Sequence, residues 1–223
     1  SKSGLAVGTA FEQYDNVFIS GGLSASIEDI EVQSTSSAKI KKMEGSYYNI
    51  DFDYGIIFDK RDQTFQPTSG YRAKFAQKLP IIIDSSSIIN AIEISAYKAI
   101  SNNAIGTVKF LGKSVHGLNN KDTRLTSRLY LPYNRLRGFN VKKVGPKDGK
   151  DYVGGNYISA LNFEISLPNL LPESTKTDIS LFLDTANVWH VDYDSSVKDG
   201  STIRSAFGLA ANVWTPVGPL SFI

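Results

Sequence analysis

A period of two between polar and apolar residues runs through most of this chain. In segment 49–58, Asn49, Asp51 and Asp53 share one parity, and apolar residues occupy most of the other. Such alternation is typical of a β-strand with one wet face and one apolar face. It recurs in three later segments: 161–167, 178–181 and 203–213. The pattern therefore predicts an all-β protein.

The pattern predicts ten strands and the start of another near Gly218, at about 5–14, 16–31, 45–59, 70–82, 88–99, 104–115, 124–131, 156–168, 177–190 and 202–214. Short connections (14–15, 101–103, 215–218) alternate with long polar ones (33–43, 132–155, 191–200). Short turns at one end and long loops at the other are typical of an outer-membrane barrel, whose tilted strands need ~9–11 residues to cross the bilayer. We predict an antiparallel transmembrane β-barrel. A large soluble sandwich or propeller shows the same alternation and stays an open alternative.

Composition excludes several other classes. The formal net charge of +2 is too small to favour nucleic acid as a partner. The absence of cysteine excludes disulfides and thiolate metal sites. No run approaches the ~18 apolar residues of a membrane-spanning helix. The first residues lack the features of a signal peptide, so we expect the chain to begin inside a mature protein, and no linker divides 1–223 into separate domains.

No catalytic constellation is visible. The two histidines, His116 and His190, lack the spacing of a metal site or an acid–base pair, and we expect them to be ordinary strand-end or loop residues. Asp59 and Asp62 can be read as a pair of carboxylates for a hard cation or as part of a charged turn leading to Gly70, and we favour the turn. We therefore predict no enzymatic activity, no cofactor and no metal.

The connection 132–155 carries the most distinctive sequence. Gly138 permits a sharp turn directly after Arg137. If Arg137 points into a barrel lumen it needs acidic or carbonyl partners, because a desolvated guanidinium is costly. Glu164 and Asp184 are candidates, since both lie on the polar parity of later strands. The residues alone leave open that Arg137 is solvated and that the two acids are independent lumenal charges.

Several motifs in order resemble one known family. Arg137-Gly138-Phe139, then Gly145-Pro146, then Gly154-Gly155-Asn156 is similar to the lumenal loop of the outer-membrane β-barrel assembly factors of the BamA family and their secretion relatives. The turn from Asp59 and Asp62 to Gly70 resembles the family's strand end and turn. Further similar segments follow in the family's order: 160–164, 181–189 and 203–220.

The resemblance implies a role for each part of the loop. In that family the arginine of the Arg-Gly-Phe motif reaches into the lumen and is held by acidic residues of neighbouring strands, which correspond here to Glu164 and Asp184. Leu136 stands where the assembly factors often carry valine. The resemblance covers about ten of the family's sixteen strands. It therefore implies a single partial barrel domain over 1–223, made of late strands and the lumenal loop 132–155.

The resemblance also implies a function. Such a barrel, in the cell outer membrane, would fold and insert other β-barrel proteins, with the lipid bilayer, unfolded client proteins and accessory lipoproteins as partners. A two-partner secretion or translocation-assembly pore of the same superfamily is the alternative. A soluble β-sandwich that binds a partner is a third possibility. The Gly154-Gly155-Asn156 match favours the assembly factor.

Overall fold

The computed structural model describes residues 1–83, 87–168, 170–197, 202–215 and 218–223. Its strands are β1 (Lys2–Tyr14), β2 (Val17–Ile30), β3 (Gly45–Asp59), β4 (Gly70–Ile83), β5 (Ser87–Ser101), β6 (Ala104–Gly117), β7 (Lys147–Asp148), β8 (Asp151–Tyr152), β9 (Tyr157–Leu167), β10 (Thr177–Trp189), β11 (Arg204–Thr215) and β12 (Gly218–Phe222). The helical elements are short: α1 (Ala38–Lys41) and 3₁₀ turns at Leu125–Ser127, Tyr133–Arg135, Val141–Lys143 and Glu173–Thr175.

Ten strands form one antiparallel sheet in the order β1-β2-β3-β4-β5-β6-β9-β10-β11-β12. Every long strand therefore lies beside its neighbour in the chain, and β7 and β8 form a separate small hairpin. This hairpin belongs to the connection 118–156, hereafter the lumenal loop, which links β6 to its direct partner β9. The predicted all-β antiparallel architecture is confirmed.

The two faces of the sheet differ in the way expected for a wall in lipid. On β9, Ile158, Ala160 and Asn162 are buried on the inner face, whereas Phe163 and Ile165 point outward and are each 41 % exposed. Exposed apolar side chains also line the outer faces of β2, β3, β10 and β11. A soluble sandwich would bury such rows against a second sheet. The arrangement matches a barrel wall with an apolar outside and a polar inside.

No helix in the described part of the chain is long and apolar enough to span a membrane.

Contacts across the inner face show that the sheet curls around the lumenal loop. Arg124 of this loop donates to Asn49 on β3 at 2.6 Å, and Arg135 lies 3.4 Å from Glu93 on β5. Gln66, in the connection between β3 and β4, reaches across to Asp178 on β10 at 3.2 Å. The concave face of the sheet therefore encloses the loop, and we call this enclosed space the lumen.

Connections at the two ends of the strands differ in length. Two-residue turns join β1 to β2 and β5 to β6 at one end, where the connections 60–69 and 168–176 also lie, whereas the long connections 31–44 and 118–156 lie at the other. The long loops therefore share one end as predicted, but the opposite end does not consist of short turns alone. Residues 216–217 of the predicted last short turn and 198–200 of the predicted third long loop lie outside the described residues.

The predicted strand at 124–131 is wrong. This segment contains a 3₁₀ turn and makes only an isolated bridge between Leu129 and Gly155. Since β6 and β9 pair directly, no sheet edge is available to it. Its alternation instead reflects Arg124 and Arg128, which are buried against the inner wall. The hairpin of β7 and β8 was not predicted, because two-residue strands are too short to show a period.

The two histidines meet at the loop end of the wall. The rings of His116 and His190 lie 5.4 and 5.6 Å from the ring of Tyr157, which stacks on Trp189 at 5.5 Å. His116 Nε2 is 2.8 Å from the Tyr157 hydroxyl. Trp and Tyr collect where a barrel wall meets the membrane–water interface. A cluster of this kind at the loop end of the wall is typical of that interface.

Candidate functional site

The lumenal loop is anchored to the wall by apolar contacts. Leu136 is fully buried, directly before the arginine of the Arg-Gly-Phe motif. It belongs to a cluster of buried residues from the loop, β6, β9 and β10: Leu111, Leu131, Leu136, Val144, Ile158, Ala160, Ala186 and Val188. Burying one leucine stabilises a structure by about 1.5–3 kcal/mol. The anchor therefore fixes the backbone next to Arg137.

Arg137 is gripped by two acidic side chains of adjacent strands. Its Nε and Nη2 donate to the two carboxylate oxygens of Asp184, each at 2.8 Å, and its Nη1 donates to Glu164 at 2.6 Å. The backbone N–H of Arg137 also donates to Asp184, at 3.0 Å. A planar fork that meets one carboxylate with two bonds is among the strongest ion-pair geometries in proteins. We call Arg137, Glu164 and Asp184 the Arg137 clamp.

Neighbouring groups complete the clamp. Asn162 donates to Asp184 at 2.8 Å and to the carbonyl of Arg135 at 3.0 Å, so it connects the acid to the loop backbone. The guanidinium of Arg137 lies 3.8 Å from the ring centre of Phe182. Burial acts to lower the pKa of Arg137, but the bonds that Arg137 donates to Asp184 and Glu164 outweigh it and raise the pKa. The cation is therefore permanent.

The sheet register brings the two acids to one place. Asp184 pairs with Asn162 across β10 and β9, and Glu164 pairs with Phe182 one step further along the same face. The two acids are therefore diagonal neighbours on the inner wall. The contact among Arg137, Glu164 and Asp184 is present in the structure, and its role in activity stays a prediction.

The rest of the motif turns the chain away from the wall. Gly138 has a φ of +77°, a conformation that residues with a β-carbon rarely adopt. Phe139 follows it and is 42 % exposed, outside the apolar cluster that holds Leu136. Among these three positions, only Arg137 is gripped by the wall.

A second cationic site lies at the loop end of the lumen and was not predicted. The Nη1 of Arg128 donates to Asn156 at 2.7 Å, and its Nη2 donates to the carbonyl of Thr123 at 2.9 Å and to the carboxylate of Asp192. Asp192 also accepts from the Thr123 hydroxyl at 2.6 Å and from Asn156 at 2.9 Å. We call Thr123, Arg128, Asn156 and Asp192 the mouth cluster. It ties both ends of the lumenal loop to the connection after β10.

Only part of the mouth cluster had a signal in the sequence. Asn156 is the last residue of the Gly154-Gly155-Asn156 motif, and Gly155 forms the bridge to Leu129 with both bonds at 2.9 Å. Arg128 lies in segment 124–131, for which the alternation incorrectly predicts a strand. Asp192 lies in a polar connection 64 positions from Arg128, and no local pattern links the two.

The mouth cluster should be sensitive to acid. Burial acts to raise the pKa of Asp192, but the bonds from Thr123 and Asn156 and the charge of Arg128 lower it to about 2. A lowered carboxyl pKa contributes stability that is complete above the unfolded value of about 4 and is lost as pH falls toward 2. Since the Asp192 side chain is 24 % exposed, we discount the effect for screening, to about 1–2 kcal/mol.

We therefore expect Asp192→Asn to lower the free energy of unfolding of the full-length protein at pH 7 by about 1–2 kcal/mol. The difference from the wild type should shrink between about pH 4 and pH 2, because wild-type Asp192 is then protonated as well. Urea titrations in detergent across this pH range measure it. Asp194→Asn, in the same connection, is the matched control. A difference independent of pH would contradict the assignment.

The turn that joins β3 to β4, with Asp59, Asp62 and Gly70, lies at the opposite end of the strands. Arg61 donates to both carboxylate oxygens of Asp59, at 2.8 and 2.7 Å. Asp62 accepts from the backbone and hydroxyl of Thr68, at 3.0 and 2.6 Å. At Gly70, with φ +91°, an added β-carbon would lie 2.0 Å from the carbonyl oxygen of Lys60. The structure has a charged turn here, and the turn does not contact the Arg137 clamp.

Comparison with known proteins decides the family. The model of the Omp85 superfamily domain matches residues 1–223, the whole chain. The chain belongs to the Omp85 superfamily. The resemblance on which the sequence interpretation rested is therefore confirmed.

Relatives within the Omp85 superfamily come from bacteria and animals. The chain is 24 % identical over 213 residues to the outer membrane protein assembly factor BamA of Neorickettsia risticii, covering 92 % of this chain and 28 % of that protein. It is 23 % identical over 172 residues to the human sorting and assembly machinery component 50 homolog, covering 74 % of this chain and 37 % of that protein. The Omp85 chain thus spans only about a third of these relatives.

The fold agrees with a solved Omp85 structure. A crystal structure of BamA from Haemophilus ducreyi lacking POTRA domains 1–3 matches with a TM-score of 0.83 and 19 % identity, covering 99 % of this chain and 49 % of that one. At this identity the likeness establishes the fold alone. The geometry that belongs to this Omp85 chain is a curved wall with a loop fixed inside it by the Arg137 clamp and the mouth cluster.

Proposed function

We propose that this chain is the barrel portion of an outer-membrane protein assembly factor, which catalyses the folding and insertion of β-barrel proteins into the outer membrane. The observation that carries the proposal is the lumenal loop, fixed inside the wall by the Arg137 clamp. The names of two relatives support it, since both describe assembly components. The proposed role involves no covalent chemistry and no cofactor.

The energy for such a reaction comes from the client. An unfolded barrel protein gains stability when its apolar band enters lipid and its strand edges pair. The assembly factor then has only to lower the barrier. We propose unfolded client proteins and the lipid bilayer as partners, with accessory lipoproteins acting on the full-length protein.

A secretion or translocation pore of the same superfamily is the alternative, and the lumenal loop does not separate the two, because the resemblance of this loop extends to the secretion relatives. Loop side chains contact the inner faces of β3, β5, β9 and β10, so the loop occupies part of the lumen. Conductance and client folding, measured on the same protein, distinguish the two functions.

The test uses the full-length protein in lipid vesicles. We expect the folding rate of an unfolded outer-membrane barrel client to rise at least tenfold over that in empty vesicles, and planar bilayers to show no steady conductance. Vesicles that contain a passive barrel of similar size are the control. Steady conductance without faster client folding would favour the pore and overturn the proposal.

A further inference from the structure

The lumen also contains a cavity that is separate from the Arg137 clamp. It lies between the inner wall and the loop segment 124–129, and its volume is about 330 Å³. That volume falls at the lower end of the range for small-molecule sites, roughly 300–1,000 Å³. Its lining comes from β1 to β6 on one side and the lumenal loop on the other.

The cavity carries an excess of positive charge. Five cationic side chains line it, Lys2, Lys78, Lys113, Arg124 and Arg128, against two acidic ones, Glu28 and Asp51. Two of the cations are matched within the lining: Lys78 lies 3.1 Å from Asp51, and Arg124 lies 3.4 Å from Glu28. Arg128 has its counterion, Asp192, outside the lining. At least two positive charges therefore remain, in a partly enclosed space where charge attracts anions more strongly than in water.

Two donors in the lining have no acceptor. Lys113, half-buried on the inner face of β6, has no ion pair within the described ranges of the chain. The Arg128 side chain is completely buried, and its Nε lacks a hydrogen-bond partner among the described residues. A buried N–H of a charged group that stays unbonded costs several times more than an ordinary hydrogen bond contributes. A bound anion would supply the missing acceptor.

The surrounding groups indicate the kind of anion. Besides the lysines and arginines, three hydroxyl-bearing residues line the cavity: Ser87, Thr126 and Ser127. Donors from both the wall and the loop suit an anion with several oxygens and more than one negative charge. Phosphate and diphosphate groups have these properties, and arginine, lysine and hydroxyl donors are their usual ligands.

We propose that this cavity is a binding site for a phosphate or diphosphate group, held between Lys113 on the wall and Arg128 on the lumenal loop. A bound anion would connect wall and loop from a position separate from the Arg137 clamp. Soluble phosphate compounds and phosphorylated lipid headgroups share this chemistry.

The first experiment measures binding of inorganic pyrophosphate to the detergent-solubilised full-length protein by titration calorimetry at constant ionic strength. We expect saturable binding that Lys113→Gln weakens about tenfold and Lys113→Arg largely preserves. Lys109→Gln is the matched control, because Lys109 lies on the same face of β6 but outside the lining. If Lys113→Gln does not fold, Thr126→Val removes a hydroxyl from the lining instead.

The second experiment distinguishes a phosphorylated lipid headgroup from a soluble phosphate compound as the bound ligand. The protein is reconstituted in phosphatidylcholine vesicles with or without phosphatidic acid, and pyrophosphate binding is measured again. Loss of binding with phosphatidic acid supports a lipid headgroup as the ligand, and unchanged binding supports a soluble phosphate compound. Absence of saturable binding in every condition, or equal weakening by Lys109→Gln and Lys113→Gln, would overturn the proposal.

Discussion

Reversing the charge of Arg137 should have the largest effect of any single substitution in this chain. Arg137→Glu removes a cation that makes three side-chain bonds to Asp184 and Glu164 and places a third carboxylate beside them. Breaking a buried ion pair from one side costs about 3–5 kcal/mol, and the added repulsion puts this change at the upper end. We expect the full-length variant to unfold at lower temperature and to lose at least nine-tenths of its assembly activity.

The control for this variant is Lys142→Glu. It makes the same charge change in the same loop, at an exposed position, and should leave stability and activity within error of the wild type. The stability and activity of Arg137→Lys should lie between those of the wild type and Arg137→Glu, because lysine keeps the charge but cannot bind both oxygens of Asp184 as a fork. Heat unfolding in detergent and the client-folding assay measure both properties. If Arg137→Glu is as stable and as active as Lys142→Glu, the clamp contributes neither to stability nor to activity.

The second large effect is expected at Leu136. Leu136→Ala leaves a hole in the apolar cluster between loop and wall and should destabilise the docked loop by about 3 kcal/mol. Leu136→Val, the residue common at this position in the resembling assembly factors, should cost only about 1 kcal/mol. The loop of the alanine variant should become accessible to protease while the strands stay protected.

Leu170→Ala is the matched control. It makes the same change at a leucine that is 59 % exposed in the connection between β9 and β10. We expect this variant to leave the resistance of the lumenal loop to protease nearly unchanged. Limited proteolysis with mass spectrometry locates the cleavage sites. A Leu136→Ala loop as resistant as that of the wild type would show that the ion pairs alone hold it.

The local pattern of the chain was enough to predict most strands and the character of each face. Period two is a property of neighbouring residues, so β3, β9 and β10 could be predicted from their own sequences. The same pattern placed Glu164 and Asp184 on polar parity. It did not show that they are diagonal neighbours, because register depends on how two strands pair. Their assignment to Arg137 needed the resemblance as well.

The segment 124–131 shows the limit of such patterns. Its polar residues alternate as in a strand, yet Arg124 and Arg128 are buried by contacts with residues far away in the chain. Only the direct pairing of β6 with β9 excludes this segment from the sheet. Alternation indicates that a segment has a polar side and an apolar side. It does not indicate which element of the fold packs against either side.

The sequence by itself determined that this protein is an antiparallel wall with one apolar face, and its motifs indicated a cationic loop inside it. The tertiary structure decided where the loop is held: Leu136 in its apolar cluster, Arg128 bound to Asp192, and Lys113 beside a cavity. The physical reason is the distance along the chain between the residues that determine each property. Strand formation follows from neighbours two positions apart, whereas burial of charge is settled by groups that meet only when the sheet curls around the loop.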